Sequence, residues 1–346
     1  MSPPVRQPGA VTVIVTVLRD LRVDRTLASL LHQTRPPDVI LVDDGGGEGP
    51  VKEMALRWAA RDPRVVYLEA PGSIPESRNI ALRVITTEFV AFLDADEVAP
   101  PEWLGRLLQP FEDPTVAFTG GPTPAMEGTA ITLGARYYDA YLRRFYDTVA
   151  RRHPHALPMG NSAWRVEIFD RVGLLDTTLY ERAASEDQEI ALRALRAGYR
   201  GVYVPDAMVA HDFSDLTLYR LLAKQNRYAL GGYVVWRRHR STYEATPGGV
   251  LPYLLPPGLV ALGALLLPWP VVRGVGTALL GAGGILWLAV LLALEVQGLL
   301  WERSYPGMRL RPIEFLRRWA TLIGAARGML RYGIRGYERG RKSRTP

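Results

Sequence analysis

Glu88-Phe89-Val90-Ala91-Phe92-Leu93-Asp94-Ala95-Asp96-Glu97 is the stretch on which the fold turns. An apolar run of strand length ends directly in two carboxylates one residue apart. A strand ending there releases its backbone into a loop, where the Asp94 and Asp96 oxygens suit a hard divalent cation such as Mg2+ or Mn2+, with substrate phosphates filling the remaining positions. The spacing points to a diphosphate. A plainer alternative has the two Asp capping the helix expected near Pro100-Pro101-Glu102.

Upstream, apolar runs of strand length alternate with amphipathic segments of helix length. Strands are expected at Val11 to Val17, Asp38 to Val42, Val65 to Leu68 and Glu88 to Leu93, with helices over Thr26 to His32, Val51 to Ala60 and Pro75 to Ile85. This βαβαβαβ order predicts an α/β domain with a mainly parallel sheet, whose ligands bind beyond the carboxyl ends of the strands. Those ends carry Thr16-Val17-Leu18, Asp43-Asp44-Gly45-Gly46-Gly47, Ala70-Pro71-Gly72-Ser73 and Asp94-Ala95-Asp96. The glycines after Asp44 let a ligand approach the backbone, and an Asp there accepts from a base N–H or a ribose hydroxyl, unless the pair is a simple Asp-Gly turn.

With these residues in place, the chain from about Val11 to Gly231 resembles the inverting family-2 glycosyltransferases, a nucleotide-sugar-binding GT-A fold. It resembles polyprenyl-linked sugar transferases and, in outline, a minimal cellulose-synthase-like enzyme. The resemblance implies nucleotide and donor contacts from Asp43, Asp44, Arg78, Asn79, Asp94, Ala95 and Asp96. It implies a sugar and acceptor pocket at Met159-Gly160-Asn161-Ser162-Ala163, including Gly160 and Asn161. Ser185-Glu186-Asp187 resembles the family's Glu-Asp pair, with Asp187 as general base beside Glu186; an N-terminal helix cap is the structural alternative, and both roles are compatible. His211, after a short strand at Met208 to Ala210, would complete the metal sphere with Asp96 and Asp94. Lys224-Gln225-Asn226-Arg227-Tyr228 resembles a shortened Gln-x-x-Arg-Trp segment, with Arg227 placed near the diphosphate. The first strand departs from the family in ending Thr16-Val17-Leu18-Arg19, so contacts at Thr16 and Val17 are expected through backbone, and Arg19 is a candidate for diphosphate or base.

Composition adds an independent expectation. Asn occurs only at 79, 161 and 226, Lys only at 52, 224 and 342, and Cys not at all. Depletion of thermolabile residues fits a thermophile, although Arg bias also follows gene composition. The surviving Asn lie inside the motifs above, which argues that each has a job.

The last third changes character. Val250 to Val272 and Val275 to Leu300 are long, apolar and nearly uncharged, which predicts two membrane spans. The tail from Glu302 carries twelve Arg and Lys against three Glu and is expected to stay cytoplasmic together with the catalytic domain, in a cell-membrane protein. Met1 to Arg6 is not a signal peptide by pattern. Phe315, Leu316, Trp319, Leu322, Ile323, Ala326 and Leu330 recur at helical spacing, which predicts a helix lying on membrane lipids or packing in a homodimer. Leu216 to Arg240 is expected to be a helix leading the basic patch Arg237-Arg238-His239-Arg240 to the membrane surface. No nucleic-acid fold accompanies the basic tail, so no nucleic-acid partner is expected.

The expected organisation is a catalytic domain over 1–213, an interfacial helical segment over 214–249, two spans over 250–300 and a basic tail over 301–346. The expected reaction is metal-dependent transfer of a hexose, inverting, from a nucleotide sugar (GDP-mannose favoured, a UDP-hexose such as UDP-glucose next) to a hydroxyl of a lipid-linked acceptor or glycolipid. N-glycan biosynthesis is one setting for such a step. The alternatives are a polyprenyl-phosphate glycosyltransferase, in which no base is needed, and a non-enzymatic membrane organiser on a decayed transferase domain. A sugar nucleotidyltransferase would require a glycine-rich basic phosphate loop after Val17, and none is present.

Overall fold

In the computed structural model, residues 6–45, 49–177, 184–239, 251–306 and 311–332 are described, with backbone alone for 251–254 and 311–312. Strands β1 (Gln7–Val17), β2 (Val39–Asp44), β3 (Val65–Glu69) and β4 (Thr87–Asp94) alternate with helices α1 (Val23–Leu31), α2 (Pro50–Arg61) and α3 (Ile74–Val84). There follow β5 (Glu97–Val98), α4 (Trp103–Leu108), β6 (Val116–Gly120), α5 (Leu133–Phe145), β7 (Asn161–Arg165), α6 (Val166–Val172), α7 (Glu186–Arg196), β8 (Arg200–Tyr203), β9 (Ala210–His211), α8 (Leu218–Arg238), α9 (Leu251–Leu266), α10 (Arg273–Glu302) and α11 (Arg311–Tyr332).

Seven strands form one sheet in the order β3-β2-β1-β4-β7-β6-β8, in which β7 runs antiparallel to both neighbours. The expected α/β fold with a mainly parallel sheet is therefore present. Both faces are covered, which is why β1 and β4 read as continuous apolar runs instead of alternating. Along β4, Ala91 and Leu93 pack into a core shared with α1, α2 and α4, while Val90 and Phe92 pack into one shared with α3, α6 and α7. The chain steps outward from β1 through β2 and β3, then returns to place β4 on the other side of β1. That reversal is the topological switch point where ligands of such sheets bind. A separate antiparallel pair, β5 with β9, brings Glu97 opposite His211.

Helix α10 is, among the described residues, the one helix long and apolar enough to cross a membrane; the described part of the first expected span forms α9, apolar over Leu255–Leu266, and a turn follows before α10. The two helices pack antiparallel through glycine: a Cβ on Gly263 would lie 2.7 Å from the Gly276 carbonyl oxygen, and one on Gly283 2.8 Å from the Val260 side chain.

The tail helix α11 packs on α8, a partner the apolar stripe did not reveal. A Cβ on Gly324 would come within 2.1 Å of the Asn226 carbonyl oxygen, and the Asn226 amide donates to the Ala320 carbonyl at 2.9 Å while accepting from Arg327 at 2.6 Å. Small and polar residues make that contact, while Leu316, Ile323 and Leu330 remain exposed on the outer side. The basic patch does not reach outward as expected either: Arg238 pairs with Asp176 and Glu189, His239 meets Glu189 at 3.2 Å, and Arg237 donates to the Tyr332 carbonyl. Arg240, like Gly46 to Glu48 and the end of the tail, lies outside the described residues.

Candidate active site

Sheet register sets the site. Thr16 at the end of β1 pairs with Asp43 of β2 on one side and Asp94 of β4 on the other, so three strand-end side chains share one level of the rim. Thr16 donates to Asp43 Oδ2 at 3.2 Å and accepts from Arg78 Nε at 3.2 Å. Arg78, on α3 behind the switch point, donates to Asp94 Oδ1 at 2.8 Å and lies 3.9 Å from Glu186 Oε1. One guanidinium thus joins the ends of β1 and β4 and the start of α7. Burial pushes the Asp43 carboxyl up to about 7 despite Arg78 and Thr16, and its Oδ1 is buried without a hydrogen bond. Asp44 is also buried and accepts from the Tyr67 hydroxyl at 3.4 Å.

The loop after β4 meets β9. Asp96 Oδ2 lies 3.2 Å from His211 Nε2 and 3.4 Å from Arg22 Nη2, and His211 Nδ1 lies 3.1 Å from Glu97 Oε1. Burial disfavours the His211 cation, but Asp96 and Glu97 overcome it and raise the imidazole to about 10. Burial also works against an ionised Asp96, yet His211 and Arg22 hold it below the usual carboxylate range. Burial dominates at Glu97 and pushes it up to about 7.

Whether these groups suit a divalent cation is a matter of donor type and support. Among the described residues no three His, Asp or Glu side chains close around a point. An open site of one or two protein ligands completed by substrate phosphates is what Mg2+ and Mn2+ require. Asp96 and His211 present adjacent oxygen and nitrogen atoms on one side of the rim, where a bound cation would displace the Nε2 proton now shared with Asp96, and Glu97 holds the far imidazole nitrogen, the support that a metal-binding His commonly has. The residues fit. Asp94, expected in the same sphere, has one oxygen committed to Arg78.

Helix α7 brings the expected base to the rim. Its first residues follow Ser185, which adopts a left-handed φ of 68°, strained for a residue with a Cβ. Ser185 makes no cap; its hydroxyl points to the Tyr228 carbonyl at 3.4 Å. Asp187 accepts from the Gln188 amide at 2.7 Å. Burial pushes its carboxyl above the usual range against the pull of Arg78, and Asp94 adds to the rise. Glu186 is buried and accepts from the Ala184 amide at 2.6 Å, so it supports the turn and Arg78. Gly160 is required by contact: a Cβ there would lie 2.4 Å from the Asp94 carboxyl.

Two expected donor contacts are engaged elsewhere. Asn79 donates to the Leu175 carbonyl at 2.8 Å and accepts from the Leu175 amide at 3.0 Å. Asn161 accepts from the Trp103 indole at 2.7 Å and donates to the carbonyls of Pro122 and Ala207. Both side chains are buried staples between backbone segments, and Asn161 has both amide hydrogens committed to carbonyls. Val17 is buried beneath the rim, Ala95 gives its carbonyl to Thr26, and Arg19 stands exposed at the mouth with φ 58°.

Three residues were missed. Arg22 and Glu97 adjoin strand-end motifs, so the rule that all strand ends converge would have found them. Lys224, one of three lysines, lays its Nζ 4.9 Å from the Tyr138 ring centroid and 5.6 Å from that of Tyr228. Burial opposes its charge, but the two tyrosines together with Asp96 and Asp94 hold the ammonium above the usual lysine range. Arg227, the expected cation of this segment, lies 5.6 Å over the Tyr228 ring.

Known proteins share this architecture. A mannosyltransferase from Pyrobaculum calidifontis, solved in complex with GDP-Man and Mn2+, superimposes with a TM-score of 0.61 at 21% identity over 92% of this chain and 86% of that one. A pre-mycofactocin glycosyltransferase of Mycobacterium tuberculosis is 32% identical over 212 residues, 58% of this chain but 42% of the relative's length. The succinoglycan biosynthesis protein ExoA of Rhizobium meliloti is 27% identical over 267 residues, 72% of this chain and 76% of that protein. Residues 12–173, just under half of the chain, match the glycosyl transferase family 2 model, and the sheet that they build is GT-A-like in fold.

Proposed function

We propose that the chain is a metal-dependent, inverting hexosyltransferase that moves a sugar, mannose in first place and glucose next, from a nucleoside diphosphate donor to a hydroxyl of a lipid-linked saccharide. The observation that carries it is Arg78, whose single guanidinium reaches Thr16, Asp94 and Glu186 and so ties the donor rim to the turn bearing Asp187. The mannosyltransferase complex with GDP-Man supports the donor class.

Asp96 and His211 would hold the Mn2+ or Mg2+, with Asp94 beside them, and the ion supplies Lewis-acid stabilisation of the departing diphosphate. The chain's own groups do the rest. Asp187 takes the proton from the acceptor hydroxyl as that oxygen bonds to the anomeric carbon. The bond from that carbon to the donor phosphate oxygen breaks on the opposite face, and its electron pair leaves with the nucleoside diphosphate. Lys224 and Arg22 add fixed positive charge at the Asp94–Asp96 rim. Asp43 and Asp44 line the nucleotide side, with Arg19 at the mouth.

The exposed apolar flank of α10 supports membrane attachment through the α9–α10 hairpin, with catalytic domain and basic tail on the cytoplasmic side. The test is incubation of detergent-purified protein with Mn2+ and labelled nucleotide sugars plus membrane lipids, following label into the organic phase. Transfer from one donor, lost in Asp96→Ala and Asp187→Asn, is expected. Transfer surviving in Asp187→Asn points instead to a phosphate as the attacking group, and no metal-dependent turnover of any donor refutes the enzyme.

A further inference from the structure

Helix α5 ends against α10, where Arg144 lies near the two arginines, Arg317 and Arg318, that hold Glu314. Arg144, half-buried near the end of α5, stacks its guanidinium 3.6 Å over the Trp301 ring. Among the described residues that guanidinium makes no ion pair and no hydrogen bond. Burial, and then repulsion from Arg318 and Arg317, pull it below the usual arginine range while Tyr141 and Tyr305 oppose them. The carboxylate present, Glu314, is already taken by Tyr137, Arg317 and Arg318. Asp147, one turn along, accepts from the Tyr305 hydroxyl at 3.2 Å. A crowded guanidinium without an acceptor is suited to an anion, and Arg pairs with phosphate oxygens in a forked geometry.

The same tryptophan ends an apolar face of α10 that carries Ala289, Leu292, Val296, Gln297 and Leu300, with Leu292, Val296 and Leu300 exposed. Helix α10 is long and apolar enough to cross a membrane, and in the membrane-attached reading above this face meets lipid, with Arg144 at its catalytic-domain end. A ligand matching both carries an anionic head on an apolar chain. Six residues back along α5, about 9 Å by helical rise, Tyr138 holds Lys224 and packs edge-on against Phe213, which lies 4.4 Å from the His211 ring. The cation is thus set back along α5 from the residues that adjoin His211 and Lys224, as the phosphate of an acceptor would be from its reacting hydroxyl.

We propose that the junction of α5, α10 and α11 binds the phosphate of a lipid-linked saccharide acceptor, with Arg144 as the anchoring cation and the exposed apolar face of α10 alongside its lipid chain. This rests on the glycosyl-transfer reading above and names the acceptor subsite of it.

Binding is measured on the full chain in detergent without donor or metal, using polyprenyl monophosphate and, separately, phosphatidylglycerol as probes. The wild type is expected to retain the polyprenyl probe at least about tenfold more tightly than the phospholipid, and Arg144→Gln to lose about tenfold for it, the scale of a charge-assisted pair. Arg144→Lys should keep most of the affinity. Arg143→Gln, which removes the same charge from the exposed neighbour paired with Asp139, should match the wild type. Equal retention of both lipids would show a bulk lipid surface and overturn the proposal, as would equal loss in Arg143→Gln and Arg144→Gln, or no loss in Arg144→Gln at an unchanged melting temperature. In turnover, Arg144→Gln should raise the KM for the lipid acceptor and leave metal-dependent donor hydrolysis unaltered. Absence of that hydrolysis in the wild type would sink the transferase reading, whereas hydrolysis with an unmoved acceptor KM would sink this site alone.

Discussion

At the scale of the residue, the site is governed by buried carboxyls whose protonation the surroundings set. Asp187 is pushed up by burial, so its basic form appears only at higher pH than for an ordinary carboxylate. Transfer should therefore rise with pH along a limb displaced above the usual carboxylate range, and Asp187→Asn should remove that limb and lower kcat by about 10²–10⁴-fold, while a donor analogue still binds; a pH–rate profile with parallel binding titrations checks both. Asp43 tests the same physics through stability. Its folded value of about 7 exceeds the ordinary 3.8 of an aspartate, so its contribution is present below pH 4 and lost as pH rises through 7. Asp43→Asn, which stays neutral, should gain on the wild type between pH 5 and pH 8 by on the order of 1–3 kcal/mol, measured by denaturant melts at the two pH values; a constant difference would show that Asp43 is ionised in the fold. The three asparagines teach a related lesson. Their scarcity marked them correctly as working residues, but composition is silent on the partner, and the partners are backbone groups: Leu175 for Asn79, Pro122 and Ala207 for Asn161, Ala320 for Asn226.

Elements show where sequence stops being sufficient. The strands β1 to β4 and helices α1 to α3 were legible within a few residues, because a sheet covered on both faces leaves continuous apolar runs and the helices between them keep a 3.6-residue period. The acidic pair after β4 was legible for the same local reason. Contacts across long sequence separations were not: Arg22 donates to the Asp212 backbone carbonyl across 190 residues, Arg25 bonds the Asp212 carboxylate, and nothing in either segment announces it. Helix α11 is the plainest case. Its apolar stripe drew attention to one face, yet it is the small face, Gly324 and Gly328 with Asn226 opposite, that packs on α8. Gly324→Val should therefore lower stability by about 1–3 kcal/mol through overpacking and open α11 to limited proteolysis. A substitution on the outward stripe, Ile323→Ser, should leave the melt unchanged, and a melt that responds to Ile323 but not to Gly324 would reverse the assignment of the two faces.

Across the whole molecule the structure divides into a sheet domain that carries the rim and a helical portion that ends in an exposed apolar hairpin. Leu255, Leu262 and Leu265 on α9 and Ile285, Leu288 and Leu292 on α10 are exposed, an arrangement that water disfavours and a bilayer accepts. At about 45 Å, α10 exceeds a hydrocarbon thickness of about 30 Å, so whether the turn that joins it to α9 reaches the far side is the decisive question for topology. The absence of Cys makes it directly measurable, because a single introduced thiol is the only one in the chain. Val271, 97% exposed in that turn, and Arg143, on the outer face of α5, are the two reporters. In intact cells, Val271→Cys should react with a membrane-impermeant maleimide, and Arg143→Cys should react only after permeabilisation, which places the turn outside and the rim in the cytoplasm where nucleotide sugars are supplied. Protection of both until permeabilisation would mean that the hairpin enters and leaves the bilayer on one side. The catalytic domain would be cytoplasmic in that case too, but the exposed apolar face of α10 would then meet the inner leaflet alone, and a lipid-linked acceptor would have to be drawn from that leaflet.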